Sequence, residues 1–189
     1  MRKVIMINRI SIDGHYASDD QASQGMDWFI HDPRVDAAVH KPVNSDTLVL
    51  GYRTFALFEQ AWTPYLADPS ADPNMTAVAL ELTKMKKLVF TRQDRRSGWE
   101  NTTFVREDPC AAISRLSATQ GSDILILGSG SIVAALARYK LINEFIFIMS
   151  PVISGRGKLL FGDMAPSGLG LVSSESFDSG NVVLHYRTL

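Results

Sequence analysis

Residues 125–136, LILGSGSIVAAL, decide how the chain is read. An apolar run ends at Leu127, a Gly128-Ser129-Gly130-Ser131 turn follows, and helical composition resumes at Ile132. Continuous apolar strands of this kind are buried on both faces, as in parallel sheets covered by helices. A turn of small residues leading into a helix can aim backbone N–H groups and the positive end of the helix dipole at a phosphate. This one is neither a dinucleotide fingerprint nor a P-loop. Val133 stands where G-x-G-x-x-G requires its third glycine, and no lysine follows. Chain reversal alone is the competing reading.

Working outward, Lys3 to Ile10 reads as a strand closed by the turn Ser11-Ile12-Asp13-Gly14. Asp20 to Gly25 is loop-like, and Met26 to Val39 reads as a helix that Pro33 breaks or restarts. Thr47 to Leu50 is a buried strand ending at Gly51, with a helix over Thr54 to Gln60. Pro64, Pro69 and Pro73 mark residues 63–75 as a surface loop. Strands follow at Lys87–Thr91 and Thr102–Val105, joined by a polar connector. Asp108-Pro109 opens a helix that Gly121 stops, with Asp as N-cap and Pro at the first position. Asp123–Leu127 is a strand, Ser131–Tyr139 a helix and Glu144–Met149 a strand. Two last strands, Leu169–Phe177 and Asn181–Arg187, flank the hairpin turn Asp178-Ser179-Gly180. The order predicts an α/β domain over 1–189, its central sheet mostly parallel, with a C-terminal antiparallel hairpin on one edge.

Bulk properties exclude several classes. The 189 residues are 46% hydrophobic with a net charge of -1, so nothing global points to nucleic acid or an acidic membrane surface. The basic clusters at 84–87 and 92–96 are short and read as solvated loops. Cys110 is the only cysteine, which excludes an intrachain disulfide and fits a cytoplasmic protein. Cys110 itself reads as a small buried filler, no metal-ligand pattern appears, and neither a signal peptide nor a membrane helix is read. Residues 145–149 are apolar on both strand faces, so one face is a candidate homodimer interface, although a central buried strand reads the same way.

Three strand ends carry suggestive chemistry, because ligands of open α/β sheets sit beyond the carboxyl ends of the strands. After Leu50, Gly51 allows close approach, Arg53 offers a donor fork, and Thr54 can cap the helix or donate to an oxyanion. After Phe90, Thr91 and Arg92 could hold a phosphomonoester such as the 2′-phosphate of NADPH. After Leu127 comes the Gly-Ser-Gly-Ser turn. Each turn alone is also an ordinary βα connection. Together they would gather on one sheet edge, as a dinucleotide requires.

The succession LGYRTF, VFTR and LGSGS resembles the dihydrofolate reductase fold, a three-layer α/β architecture. The closer resemblance is to the reductase domain of bacterial riboflavin biosynthesis and its stand-alone relatives. Ser11-Ile12-Asp13-Gly14 is similar to the S-L-D-G after that group's first strand, and residues 151–161 to its late P-x-x-x-G-x-G-x-x-L-F segment. The resemblance implies NADPH as cofactor. Gly51, Arg53 and Thr54 would hold one side of the diphosphate, and Thr91 and Arg92 the 2′-phosphate. Gly128, Ser129, Gly130 and Ser131 would cover the diphosphate and ribose from the other side. It also implies an oxidoreductase like dihydrofolate reductase or 5-amino-6-(5-phosphoribosylamino)uracil reductase.

Dihydrofolate reductases anchor their pterin with an acid on the first helix. Asp27, Asp32 and Asp36 lie in that region, and Asp27 beside Trp28 is the first choice, with a helix-start aspartate near the N-cap as its competing reading. An aromatic neighbour can desolvate a carboxylate and stack a flat ring. Asp13 is the other candidate acid, with a plain turn aspartate as its competing reading. Trp28, His31 and Trp62 are candidate substrate-binding residues, with His15 beside them, and Arg156 and Lys158 could supply a second basic site. The expected function is hydride transfer from NADPH to a small heterocycle of pterin or pyrimidine type. The alternative is a nucleotide-binding module on the same fold without turnover.

Overall fold

Side-chain alternation along the first strand organises the molecule. β1 (Val4–Ile10) sends Val4 and Met6 into one apolar cluster, and Ile5 and Ile7 into a second cluster on the opposite face. The computed structural model describes residues 1–20, 23 and 25–189. After β1 come β2 (His15–Ala17), α1 (Pro33–His40), β3 (Ser45–Gly51), α2 (Tyr52–Ala67), α3 (Pro73–Lys84) and β4 (Lys86–Phe90). Then follow β5 (Thr102–Val105), α4 (Pro109–Ser117), β6 (Asp123–Leu127), α5 (Gly130–Arg138) and β7 (Glu144–Met149). β8 (Lys158–Leu159), β9 (Leu169–Ser176) and β10 (Val182–Thr188) close the chain.

The main sheet has eight strands in the order β5-β4-β3-β6-β1-β7-β10-β9. Every pairing from β5 to β7 is parallel, and β10 and β9 add antiparallel to one edge, as expected. β2 and β8 form a separate antiparallel pair. Ile113 of α4 and Ile132, Val133 and Leu136 of α5 join the Val4–Met6 cluster. Val35 and Val39 of α1 and Phe55 of α2 join the Ile5–Ile7 cluster, with Leu82 of α3 packed against it. Helices therefore cover both faces, which gives the expected three layers. Full burial of one such aliphatic side chain contributes about 1.5–3 kcal/mol.

Three helices start by one rule. Asp32, Asp72 and Asp108 each accept a hydrogen bond from a backbone N–H of the next turn, and proline follows each of them. This corrects two expectations. The helix read over Met26–Val39 begins only at Pro33, because Asp32 caps it there and the proline ring has no N–H to continue a helix backward. Residues 63–75 are not one loop. α2 runs to Ala67 with Pro64 inside it, and Pro73 is the first residue of α3. Part of the loop read over Asp20–Gly25 (residues 21, 22 and 24) lies outside the described residues.

β7 is interior, between β1 and β10. Phe145 and Phe147 pack with Phe161 and Tyr186, while Ile146 and Ile148 enter the opposite cluster. Both faces of β7 are thus covered within the chain, so its apolar pattern is that of a central buried strand and not of a dimer face. Among the described residues no helix is long and apolar enough to cross a membrane.

Candidate functional site

The turn after β6 meets the turn after β3. Ser129 Oγ accepts a hydrogen bond from the Gly51 N–H at 2.5 Å and donates to Thr54 Oγ1 at 3.0 Å. A Cβ on Gly51 would stand 3.1 Å from Ser129 Oγ, and one on Gly128 would stand 3.3 Å from Thr54 Cγ2. Gly128, at φ +62°, also takes a left-handed backbone that glycine adopts at little cost. A side chain on Gly130 would collide with the Tyr16 ring. The glycines therefore allow two turns and a tyrosine to close on one point.

That arrangement leaves two helix N-termini open. Serine is a favoured N-cap, but the Ser129 hydroxyl is engaged across the turns and makes no cap bond to α5. Ser129 O takes the N–H groups of Ile132 and Val133, while those of Gly130 and Ser131 stand before the first intrahelical bond. α2 likewise starts at Gly51 without a side-chain cap. Uncapped N–H groups at the positive end of a helix attract anions.

These turns line a cleft of about 1840 Å³ over the carboxyl ends of β1, β3, β4 and β6. All nine residues expected to hold a cofactor line it: Gly51, Arg53, Thr54, Thr91, Arg92, Gly128, Ser129, Gly130 and Ser131. Arg53 and Arg92 are exposed and make no ion pair among the described residues. Thr91 Oγ1 accepts the Gln93 N–H at 3.2 Å, a bend that presents Arg92 at the rim. Tyr16 also lines the cleft, and burial pushes its phenol above the ordinary value while nearby Arg53 opposes the shift.

The candidate acids fall differently. Asp13 is a staple outside the cleft. It accepts from Ser11 Oγ at 2.6 Å and from the N–H groups of Ser154 and Gly155 at 3.0 and 2.7 Å. These donors, the Ser11 hydroxyl first, hold it well below the usual carboxylate range, so it is unsuited to donate a proton. Asp27 is exposed, accepts from the Ser18 and Ser23 hydroxyls, and does not line the cleft. Its expected helix starts six residues later. Asp32 is used as the α1 cap. Of the aspartates near the first helix, Asp36 on α1 lines the cleft, 3.7 Å from the Arg9 guanidinium and 3.4 Å from His31; Glu81, Glu107 and Asp108 line it elsewhere.

Of the expected substrate residues, His31 and Trp62 line the cleft, and Trp28 lies outside it against Phe29, ring centroids 4.7 Å apart. His15 pairs with Asp13 at 3.3 Å and is also outside. Lys158 reaches the cleft and Arg156 does not. Burial and Asp108 push the Cys110 thiol up, which opposes a reactive thiolate.

Asn8, Arg9 and Tyr16 also line the cleft, and the sequence reading did not single them out. Arg9 donates to Ile30 O at 3.1 Å and to Asn181 Oδ1 at 3.2 Å, and stands 5.5 Å from the Phe29 ring. The available signal was polarity out of place, two polar residues inside the apolar strand VIMINRI.

Comparison with known proteins agrees with this architecture. The chain is 27% identical to YyaP over 188 residues, covering 98% of this chain and 95% of that protein. It is 28% identical to YwjB over 187 residues, covering 98% and 97%. Both are uncharacterised proteins of Bacillus subtilis (strain 168). Among solved structures, a pyrimidine reductase-like protein of Corynebacterium diphtheriae superposes with a TM-score of 0.64 at 14% identity, covering 100% of this chain and 92% of that one. The diaminohydroxyphosphoribosylaminopyrimidine deaminase/5-amino-6-(5-phosphoribosylamino)uracil reductase of Thermotoga maritima superposes at 0.67 with 13% identity. This chain covers 57% of that protein. The model of the RibD C-terminal domain matches residues 2–183, and the chain belongs to that family.

Proposed function

We propose that the chain is an NADPH-dependent reductase that transfers a hydride to a small heterocyclic substrate of pterin or pyrimidine type. The observation that carries this reading is the pair of uncapped helix N-termini, α2 and α5, tied together by Ser129 beside Arg53, which has no ion pair among the described residues. This donor set suits a diphosphate. Membership in the RibD C-terminal domain family supports a reductase.

In this reading Gly130 and Ser131 donate backbone N–H groups to the diphosphate, and Arg53 neutralises it. Thr91 and Arg92 meet the adenosine 2′-phosphate at the rim. NADPH, when bound, supplies the hydride. Asp36 and Arg9 offer an acceptor and a donor fork to the edge of a flat ring, with Phe29 and Trp62 as apolar walls. What these residues contribute is position: two reactants held in register gain most of their rate from lost freedom.

The test is NADPH oxidation, followed by absorbance, with pterin, pyrimidine and quinone acceptors. Sustained turnover with one class supports the reading. NADPH binding with no turnover on any of them would favour a nucleotide-binding module without chemistry.

A further inference from the structure

Four buried polar side-chain atoms lack a hydrogen-bond partner among the described residues: Asn8 Oδ1, Trp28 Nε1, Thr102 Oγ1 and His15 Nδ1, whose 3.3 Å approach to Asp13 is not aligned as a hydrogen bond. Of these residues only Asn8 lines the cleft. It is 3% exposed and lies in β1 in the row that continues Val4 and Met6, where an apolar residue would pack without penalty. A buried amide oxygen without a protein partner is left to water or to a ligand, and its place in the cleft offers it to a ligand.

Its position says which part of a ligand. The preceding residue, Ile7, accepts the Gly128 N–H through its carbonyl at 3.3 Å, so Asn8 stands one residue beyond the turn that would cradle a diphosphate. From that cradle a dinucleotide reaches one ribose further to its nicotinamide. Arg9, the next residue, points to the opposite sheet face, towards Asp36 on α1. The strand thus divides the cleft into an Asn8 side and an Arg9–Asp36 side. A half-turn of the Asn8 χ2 exchanges acceptor and donor, and the best complement to an amide is another amide.

We infer that the Asn8 side chain binds the carboxamide of the nicotinamide ring, and that this pairing fixes the ring against β1. The inference rests on the proposed use of NADPH. Its test compares NADPH with 2′-phospho-ADP-ribose, the same nucleotide without nicotinamide, by titration calorimetry on wild type, Asn8→Ala and the near-isosteric Asn8→Leu. Both variants should bind NADPH about tenfold more weakly and 2′-phospho-ADP-ribose within twofold of wild type. That ratio corresponds to roughly 1.4 kcal/mol, one good hydrogen bond. Without ligand, Asn8→Leu should melt no lower than wild type, since no hydrogen bond is lost. Equal weakening of both ligands, or a melting point well below wild type, would assign Asn8 a structural role. Wild-type-like NADPH affinity in both variants would overturn the inference alone. Failure of the wild type to bind either nucleotide would overturn the cofactor reading and this inference with it.

Discussion

Charge reversal at Arg53 is the sharpest perturbation of the proposed anion site. Arg53 is the second residue of α2, exposed, at the cleft, and without an ion pair among the described residues. A charge-assisted hydrogen bond contributes about 1.5–3 kcal/mol, and Arg53→Glu loses it. The new carboxylate adds repulsion of about 1 kcal/mol at 4 Å in high dielectric. The sum, roughly 3 kcal/mol, is about a hundredfold in Kd. Much of the effect is screenable, so raising ionic strength from 0.05 to 0.5 M should narrow the gap between wild type and variant, by about threefold or more. The assay is calorimetric titration with NADPH at both salt concentrations. The folded state should barely notice, because an exposed, unpaired side chain changes stability by no more than about 0.5 kcal/mol. A normal urea midpoint with less than threefold loss of NADPH affinity would refute the placement of the diphosphate.

Three further outcomes follow from the contacts. Ser129→Ala removes both bonds between the turns, to the Gly51 N–H and to Thr54 Oγ1, and should cost about 1–2 kcal/mol in urea unfolding; an unchanged midpoint would show that the turns need no tie. Asp36→Asn should lower kcat/KM for the heterocycle at least tenfold while leaving NADPH affinity within twofold, whereas equal loss of both would place Asp36 in the fold rather than at the substrate. Asp32 is held at about 2 by its bonds from Arg34 and the Ser179 hydroxyl. The unfolded chain, with the ordinary value near 3.8, therefore takes up the proton first. Its stabilising contribution is complete above that value and fades as pH falls through about 2. Asp32→Asn should flatten the acid limb of stability between pH 4 and 2, and an unaltered limb would exclude this carboxylate as a contributor.

Elements with one dominant local signal could be read directly. β5, β6 and β7 match their sequence boundaries because each is a short apolar or β-branched run between turn residues. The hairpin followed from Asp178-Ser179-Gly180, and all three strand-end turns converge because a parallel sheet brings its carboxyl ends together. α3 was lost to its proline density, although Asp72-Pro73 repeats the signal that correctly opened α4 at Asp108-Pro109. Pro64 marks no break: its ring forgoes one backbone bond, yet the helix continues past it, with the Asp68 N–H donating to the Pro64 carbonyl at 3.2 Å.

Which aspartate faces the cleft was hidden for a different reason. Asp27, Asp32 and Asp36 differ only in which one faces the cleft, and that depends on where α1 begins. Once Asp32 caps the helix, Asp36 is one turn inside it and falls beside Arg9, a contact between residues 27 positions apart. Asp13 is an analogous case: its partners Ser154 and Gly155 arrive from the far end of the chain, and no local pattern announces them.

The central claim is that paired turns at the ends of β3 and β6 bind the diphosphate of NADPH, with Thr91 and Arg92 selecting its 2′-phosphate. The direct measurement is thermal unfolding of the wild-type protein with NADPH and, separately, NADH. At a hundred times its Kd, a ligand stabilises by about 2.7 kcal/mol. For a chain of this length that raises Tm by roughly 5–10 °C. The account predicts such a rise with NADPH and a much smaller one with NADH at equal concentration. No shift with either nucleotide would return the Gly-Ser-Gly-Ser turn to a simple chain reversal, and equal shifts would remove Thr91 and Arg92 from the site.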